Sequence, residues 1–185
     1  MTREDNQPAR VLAEGRFVRL LAKNGWEWAD RTNCRSAVII VAVTGQRELV
    51  LVEQFRIPLG RRVIELPAGL VGDEPDGAHE EPAEAARREL REETGFQAET
   101  MVYLAEGPSS AGLASEVYSL FWAPDVRQVT AGGGTAGEEI RVYRLPLDDA
   151  EAWLDARRRE GVMVDPKIYA GLYFAQNPRG TSPLT

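Results

Sequence analysis

The sequence has little of the chemistry that most covalent catalysts use. Among its 185 residues there is one cysteine, Cys34, and one histidine, His79. A single cysteine excludes an internal disulfide and suits a reducing cytoplasm, so we expect Cys34 to be a small buried hydrophobic residue. A single histidine, which we expect to be exposed, excludes catalysis by a histidine pair. No Gly-x-Ser-x-Gly motif offers a serine nucleophile.

The sequence also lacks long apolar runs and an excess of basic residues. No run approaches the roughly 18 apolar residues that span a bilayer, and residues 1–8 lack the apolar core of a signal peptide. We therefore expect a cytoplasmic protein with no membrane partner. The formal net charge of −7 argues against a nucleic-acid partner bound through a broad basic surface. It does not exclude a nucleotide substrate.

Turn formers and apolar runs divide the chain into strands and helices. Residues 1–10 indicate a loose tail, and residues 16–21 and 26–31 flank an Asn24-Gly25 hairpin signal. The apolar run 37–43 is too continuous for a half-exposed strand, so we predict a central strand there. Further strands are predicted at 48–55, at 62–66 before a Pro67-Ala68-Gly69 turn, and at 102–104, 117–122 and 140–145; helices are predicted from Pro82 to Gly95, at 148–159 and at 165–175. This order predicts an α+β fold with a sheet packed between helices.

The helix predicted after Pro82 carries three carboxylates on one face. Glu89, Glu92 and Glu93 are spaced i, i+3 and i+4, so they point the same way. Like charges at this spacing repel one another unless a positive group lies between them. Mg²⁺ prefers oxygen ligands and retains waters and substrate phosphates, so the spacing predicts a metal site. The alternative is an acidic surface face paired with the neighbouring arginines, Arg87, Arg88 and Arg91.

Residues 69–96 resemble the Nudix box, which reads Gly, five residues, Glu, seven residues, then Arg-Glu-apolar-x-Glu-Glu-x-Gly-apolar. The second half fits at every specified position, from Glu80 through Arg88–Phe96. The first half departs from the pattern, because ten residues rather than five separate Gly69 from Glu80. An insertion in a surface loop costs little closure entropy. We therefore expect a longer loop ahead of an intact metal helix.

The resemblance implies a fold and a set of metal ligands. The fold would be the α/β/α Nudix sandwich with a mixed sheet over roughly residues 37–175, preceded by a small N-terminal antiparallel β segment. In the pyrophosphatases of the ADP-ribose type, box glutamates and a backbone carbonyl before the box hold the metals. Here the ligands would be Glu89, Glu93 and the Ala68 carbonyl, with Glu92 bridging a further ion or orienting the water in catalysis. The expected cofactor is Mg²⁺, with Mn²⁺ as the alternative.

The resemblance also implies a catalytic base outside the box, in the Gly-rich loop 130–140. Glu138 is the expected base and Glu139 the alternate, since strand alternation could turn Glu139 away from the cleft. A plain linker is the competing interpretation of that loop. In the resembling enzymes an N-terminal sheet exchanges between subunits. We therefore expect a homodimer, with residues 1–35 as its dimerisation segment and residues 36–185 as the catalytic domain.

Four residues are candidates for substrate binding. Arg56, which ends a Glu-Gln-Phe-Arg stretch, would give a bidentate contact to phosphate or ribose oxygens, and Glu65 would accept a hydrogen bond from a base or sugar. A salt bridge from Arg56 to Glu53 or Glu65 is the competing interpretation. Trp28 could stack on a nucleobase, although core or interface packing is commoner. Glu116 lies in a loop resembling the relatives' substrate loop, with Ala-Gly in place of Pro-Gly.

Together these features predict an enzyme that hydrolyses the pyrophosphate bond of a nucleoside diphosphate sugar. ADP-ribose is the favoured substrate, giving AMP and ribose 5-phosphate, because the Glu-Gln-Phe-Arg and Glu-Leu-Pro-Ala-Gly stretches resemble the sugar-nucleotide branch. GDP-mannose or a broad set of nucleotide sugars is the nearest alternative. A non-catalytic nucleotide sensor is a second alternative, but such a module would be expected to have lost box glutamates, and none is missing. The same stretches disfavour triphosphate hydrolysis.

Overall fold

The chain begins with a small antiparallel sheet. The structure is a computed structural model that describes residues 8–73, 79–134 and 139–177. Strands β1 (Arg10–Glu14), β2 (Val18–Lys23) and β3 (Trp26–Arg31) pair in that order. The hairpin predicted at Asn24-Gly25 is confirmed as the β2–β3 turn. The predicted tail 1–10 is wrong at its end, because Arg10 already pairs with Ala22 in β1.

The second sheet is mixed and has nine strands. Its path runs β12-β6-β5-β4-β10-β8, with β11 beside β5, β7 beside β4 and β9 beside β10. The β4–β10 and β6–β12 pairs are parallel, and the other pairs are antiparallel. The strands are β4 (Ser36–Thr44), β5 (Glu48–Arg56), β6 (Arg61–Glu65), β7 (Ala68–Val71), β8 (Phe96–Gln97), β9 (Val102–Pro108), β10 (Val117–Gln128), β11 (Arg141–Pro146) and β12 (Met163–Val164).

Helices cover both faces of the large sheet. They are α1 (Pro82–Thr94), α2 (Ala150–Arg159) and α3 (Lys167–Gln176). Alternate residues of β4 face opposite layers: Val38, Ile40 and Ala42 pack with Leu90 of α1, whereas the residues between them pack with α2 and α3. Both faces of β4 are therefore core, which explains its continuous apolar sequence. The predicted α/β/α sandwich with a mixed sheet is confirmed.

The predicted turn at Pro67-Ala68-Gly69 is wrong. The chain instead continues as β7, which pairs antiparallel with the first half of β4 from Ser36 to Ile39, and Ile40 N–H donates to the Pro67 carbonyl at 2.8 Å. A buried central strand needs partners for its backbone groups on both sides, and β7 supplies one side. The predicted exposure of His79 is confirmed. Cys34, which was expected to be buried, is only half-buried.

The Gly-rich loop after β10 attaches to the C-terminal end of α1. Gly95 ends the helix with φ 75°, and its carbonyl accepts the N–H of Val129 at 2.8 Å. Gly133 and Gly134 then donate to the carbonyls of Glu93 and Glu92 at 2.9 and 3.1 Å. These bonds satisfy helix carbonyls that have no partner within the helix. The described part of the loop, as far as Gly134, therefore lies beside the C-terminal end of the acidic helix.

A helix-end glycine with crowded surroundings should be less replaceable than one in open space. At Gly95 an added Cβ would lie 2.2 Å from the Thr130 carbonyl oxygen, whereas at Gly161, with φ 84°, it would meet nothing within 4 Å. We expect Gly161→Ala to cost about 1–2 kcal/mol of unfolding free energy, from the left-handed backbone alone, and Gly95→Ala to cost clearly more. Urea unfolding measures both, and equal losses would contradict the close docking of the loop.

The part of the chain that the structure describes contains no helix long and apolar enough to cross a membrane.

Candidate active site

A cleft of about 450 Å³ opens between α1, β7 and the end of the small sheet. It collects side chains from segments far apart in the sequence. Its charged members are four cations and five carboxylates, namely Arg31, Arg56, Arg88, Lys167, Asp73, Glu89, Glu92, Glu93 and Glu116. The predicted metal-site residues Ala68, Glu89, Glu92 and Glu93 all line this cleft. The expectation that the three box glutamates share one face is therefore confirmed.

Arg88 holds the acidic helix and the loop before it together. Its Nη1 lies 2.8 Å from Glu89 Oε1 and 3.2 Å from Glu92 Oε2. Its Nε donates to Glu80 at 2.9 Å, and its Nη2 donates to the Leu70 carbonyl at 3.0 Å. Hydrogen bonds from Arg88 lower the pKa of Glu80, which also accepts the Gly72 N–H at 3.0 Å. This guanidinium supplies a positive group to the Glu80, Glu89 and Glu92 carboxylates.

Arg88 also explains how the longer loop leaves the helix intact. The extra residues fall within 70–79, of which residues 74–78 lie outside the described residues. Both described ends of the loop meet the same guanidinium, through Asp73 at 3.3 Å and Glu80 at 2.9 Å. Extra residues between two fixed ends change only the path of the chain between them.

Glu93 is the most buried of the three box glutamates, with 7% of its surface exposed. Its Oε2 accepts the Ala68 N–H at 3.0 Å, and its Oε1 lies 3.5 Å from Gln54 Nε2. Glu93 therefore joins α1 to the start of β7 and to β5. The Ala68 N–H thus has a hydrogen-bond acceptor in Glu93. The role of the Ala68 carbonyl as a metal ligand stays a prediction.

Glu89 packs against the backbone of β7. A Cβ on Gly69 would lie 1.9 Å from Glu89 Cδ, so only glycine leaves room for this carboxylate. Burial raises the pKa of the Glu89 carboxyl to about 7, against the opposing effect of Arg88. An ionised carboxylate at this position is therefore costly when the protein holds no metal.

The donor set fits a hard divalent ion. Every candidate ligand is an oxygen, from three carboxylates and the adjacent backbone, which is the chemistry that Mg²⁺ and Mn²⁺ prefer. Among the described residues no three acidic, histidine or cysteine side chains converge on one point. Arg88 Nη1 lies between Glu89 and Glu92 instead. An ion bound by both carboxylates has to replace that contact.

The structure describes only one of the two candidate bases. Glu138 lies outside the described residues. Glu139 is paired with Arg62 at 2.6 Å and with Arg141 at 3.7 Å, has a side chain that is 75% exposed, and does not line the cleft. The alternate base is therefore held on the surface by two arginines.

The four substrate candidates divide between the cleft and its surroundings. Arg56 and Glu116 line the cleft, whereas Glu65 and Trp28 do not. Arg56 Nε donates to Glu65 Oε2 at 2.7 Å. In the ligand-free protein Arg56 therefore forms the salt bridge that was the alternative to a substrate contact. Trp28 is half-buried in the small sheet, opposite Leu21.

Sequence reasoning missed several members of the cleft, among them Arg31, Lys167 and Tyr118. Arg31 comes from the small sheet and contacts Glu116, while Lys167 begins α3 and pairs with Asp165 at 2.6 Å. Tyr118 enters from β10. None of them belongs to a local motif, and they meet only because distant elements pack together.

Comparison with known proteins gives consistent similarities. Residues 34–165 match the family model described as the NUDIX domain. A methanol dehydrogenase activator of Bacillus methanolicus is 34% identical over 141 residues, covering 76% of this chain and 71% of its own length. An ADP-ribose pyrophosphatase of Bacillus subtilis is 33% identical over 122 residues, covering 65% of this chain and 63% of its own length.

Two further similarities concern another substrate and the fold. A GDP-mannose pyrophosphatase of Yersinia pestis is 33% identical over 155 residues, covering 78% of this chain and 74% of its own length. A crystal structure of an ADP compounds hydrolase superposes with a TM-score of 0.63 at 22% identity, covering 92% of this chain and 94% of that one. At this identity the structural match shows a shared fold.

The raised pKa of Glu89 predicts a pH-dependent stability in the metal-free protein. The unfolded carboxyl ionises near 4.5 and the folded one near 7, so this residue lowers stability progressively between those values and by a constant amount above them. In EDTA, we expect Glu89→Gln to raise the unfolding free energy by about 2 kcal/mol more at pH 8 than at pH 5. Urea unfolding measures the difference.

The matched control for this prediction is Glu84→Gln, on the exposed side of the same helix, where the side chain is 66% exposed. It should change stability little at either pH. A Glu89→Gln variant with no pH-dependent gain would show that the carboxylate is not desolvated in the folded protein.

Proposed function

This chain belongs to the Nudix family of hydrolases, and from that premise we propose that it cleaves the pyrophosphate bond of a nucleoside diphosphate sugar. ADP-ribose is the favoured substrate, with AMP and ribose 5-phosphate as products. One observation carries the proposal: all three box glutamates face a single cleft. The same cleft contains four cationic side chains, namely Arg31, Arg56, Arg88 and Lys167. The acidic side suits a divalent ion, and the cations suit phosphate oxygens.

The charges of the cleft support a requirement for divalent ions. Arg31, Arg56, Arg88 and Lys167 are each already paired with a carboxylate. A diphosphate would add two negative charges to a cleft whose carboxylates outnumber its cations. We therefore propose Mg²⁺, with Mn²⁺ as the alternative, held by Glu89, Glu92, Glu93 and the Ala68 carbonyl. When bound, such an ion neutralises phosphate charge and makes a coordinated water more acidic.

The chain's own residues would orient the reactants. Before an ion binds, Arg88 holds the side chains of Glu89 and Glu92 through contacts of 2.8 and 3.2 Å, and its bonds to Glu80 and the Leu70 carbonyl keep it beside them. Arg56 presents a guanidinium, held by Glu65 at 2.7 Å, whose planar donors match two phosphate oxygens. Prior alignment of such groups is a large part of phosphoryl-transfer catalysis.

We propose Glu138 as the base that takes the proton of the attacking water. The described residues before it support this, because Gly134 is bonded to the Glu92 carbonyl at 3.1 Å and so brings the loop to the end of the acidic helix. The pairing of Glu139 with Arg62 and Arg141 favours Glu138 over its neighbour. Glu92 would assist by orienting the water.

GDP-mannose is the second candidate substrate. A relative named for GDP-mannose and one named for ADP-ribose are each 33% identical to this chain, so overall similarity does not choose between them. Discrimination depends on hydrogen bonds to the group that differs. A non-catalytic sensor is less well supported, because all three box glutamates are present and lie together in the cleft.

We further propose that the enzyme is a cytoplasmic homodimer that associates through residues 1–35. Large apolar side chains of the small sheet are exposed, including Phe17 at 51%, Val18 at 46% and Trp26 at 65%. Apolar surface of this kind is typical of an interface. In a dimer, Trp28 could stack on a nucleobase bound by the partner, which is the alternative to its packing within the small sheet. Light scattering after gel filtration measures the molecular mass in solution. A monomer at micromolar protein concentration would contradict the proposed homodimer.

A substrate panel tests the proposed reaction. ADP-ribose, GDP-mannose, UDP-glucose, NADH and dGTP are incubated with and without Mg²⁺, and the phosphate released from the products by a phosphatase is measured. We expect ADP-ribose to dominate and the signal to vanish in EDTA. Preference for GDP-mannose would keep the reaction and change the substrate. Tight ADP-ribose binding without turnover would support the sensor instead.

Glu93→Gln should separate the metal role from the structural role of this residue. The amide keeps an oxygen that accepts the Ala68 N–H but loses the charge that a divalent ion needs. We expect kcat to fall by about two orders of magnitude or more, with the circular dichroism spectrum unchanged. Glu84→Gln, on the exposed side of α1, should keep full activity. A Glu93→Gln enzyme that retains most activity would remove Glu93 from the site.

A further inference from the structure

A buried carboxylate lies on the face of the large sheet that packs with α2 and α3, outside the cleft. Glu53, in β5, is only 5% exposed. It points to this face because it continues the alternation of Leu49 and Leu51, which belong to that core layer. The next residue, Gln54, lines the cleft and lies 3.5 Å from Glu93. Adjacent residues of β5 therefore serve the cleft and the layer behind it.

Glu53 has polar and charged neighbours from the strands on both sides of β5. Tyr143 Oη donates to Glu53 Oε2 at 2.7 Å, and burial together with this bond raises the pKa of Tyr143, so the hydroxyl stays protonated. Arg62 Nη1 and Arg141 Nη1 lie 3.6 and 3.7 Å from Glu53 Oε1. Arg62 comes from β6, and Arg141 is the register partner of Glu53 in β11. A carboxylate at this depth needs such partners, because an unpaired buried charge is strongly destabilising.

The same two arginines hold Glu139, which follows the Gly-rich loop. Arg62 Nη2 lies 2.6 Å and Arg141 Nη2 3.7 Å from Glu139 Oε1. The Glu139 side chain is 75% exposed, so the arginines link a surface carboxylate to a buried one. Two like charges repel one another, and Glu53 beneath them keeps both close enough to reach Glu139.

The Gly-rich loop is thus attached at both of its described ends. At its start, Gly134 N–H donates to the Glu92 carbonyl at 3.1 Å. At its end, Glu139 meets the two arginines. Residues 135–138 lie outside the described residues, and Glu138 directly precedes Glu139 in the sequence. The second attachment is therefore one residue away from the base that we propose.

We infer that Glu53 is a positioning residue: through Arg62 and Arg141 it fixes the Glu139 end of the Gly-rich loop, and with it the base proposed at Glu138. The inference rests on the proposed function. A buried ion cluster adds little stability compared with apolar packing, so its value here lies in fixing one geometry. Such precision matters, since a displacement of about 1 Å in a catalytic group can lower the rate about a hundredfold.

The experiment measures kcat and KM for ADP-ribose in Mg²⁺ with Glu53→Gln and Glu139→Gln. The first variant removes the buried charge and keeps an oxygen for Tyr143; the second changes an exposed side chain, so it should fold normally. Each should lower kcat about tenfold and leave KM within about twofold, because the base is displaced and the substrate contacts are not. The double variant should lose no more than about twofold beyond either single one, since both act through the same arginines.

Glu48→Gln is the matched control for the loss of a glutamate from β5. Glu48 begins the same strand and accepts the Thr44 hydroxyl at 3.1 Å, away from the cleft and from the two arginines. This variant should keep the wild-type kcat. Urea unfolding of every variant measures any loss of stability separately from the loss of rate.

A second comparison asks whether the effect passes through Glu138. In a Glu138→Gln background, Glu139→Gln should lower kcat by less than about threefold, because the group that it orients is already absent. A general disturbance of the fold would instead lower kcat about tenfold in both backgrounds.

Wild-type kcat in Glu139→Gln, or in a folded Glu53→Gln, would overturn the inference. So would an effect of Glu139→Gln that is equally large in the Glu138→Gln background. Nearly full activity in Glu138→Gln with a large loss in Glu139→Gln would make Glu139 the base and would also overturn it. In these cases hydrolysis by the wild-type enzyme leaves the proposed reaction standing. A wild-type enzyme that hydrolyses no nucleotide sugar would overturn the proposed function together with this inference.

Discussion

The guanidinium of Arg88 is the contact on which the arrangement of the site depends. It joins Glu89 and Glu92 on α1 to Glu80 and the Leu70 carbonyl, which belong to the chain before the helix. Without a cation at this point, carboxylates one helical turn apart would repel one another and the longer loop would lack a common anchor. Arg88 thus allows an acidic surface to exist in the folded protein without a bound ion.

The same region shows a conflict between stability and function. Glu89 is enclosed by the backbone of Gly69, and burial raises the pKa of its carboxyl to about 7. A buried group that ionises reluctantly weakens the folded state at neutral pH, and hydrophobic residues could fill this volume more stably. The proposed metal-binding role would explain why the position is acidic, because a cation would convert an unfavourable charge into a ligand. The apolar layers around β4 supply the stability that this surface lacks.

Local patterns predicted the elements of the fold well and the composition of the cleft only in part. The helix from Pro82 to its stop at Gly95 and the central strand follow from spacing and composition alone. By contrast, β7 looks like a turn because its strand character comes from pairing with β4. Arg31 and Lys167 escaped prediction because their places depend on contacts between distant segments. For a salt bridge of Arg56 the sequence leaves Glu53 and Glu65 as alternative partners, and the pairing of β5 with β6 brings Glu65 to it.

The proposed reaction requires that the cleft accept a diphosphate only when α1 holds divalent ions. Its most direct test is the Kd of a non-hydrolysable α,β-methylene analogue of ADP-ribose, measured by calorimetry with the wild-type protein in Mg²⁺ and in EDTA. The paired state of every cation in the cleft predicts binding that is weaker in EDTA by about tenfold or more, a difference of about 1.4 kcal/mol. Equal affinity in the two conditions would contradict the account, because it would mean that the chain's own arginines and lysine suffice to bind the diphosphate.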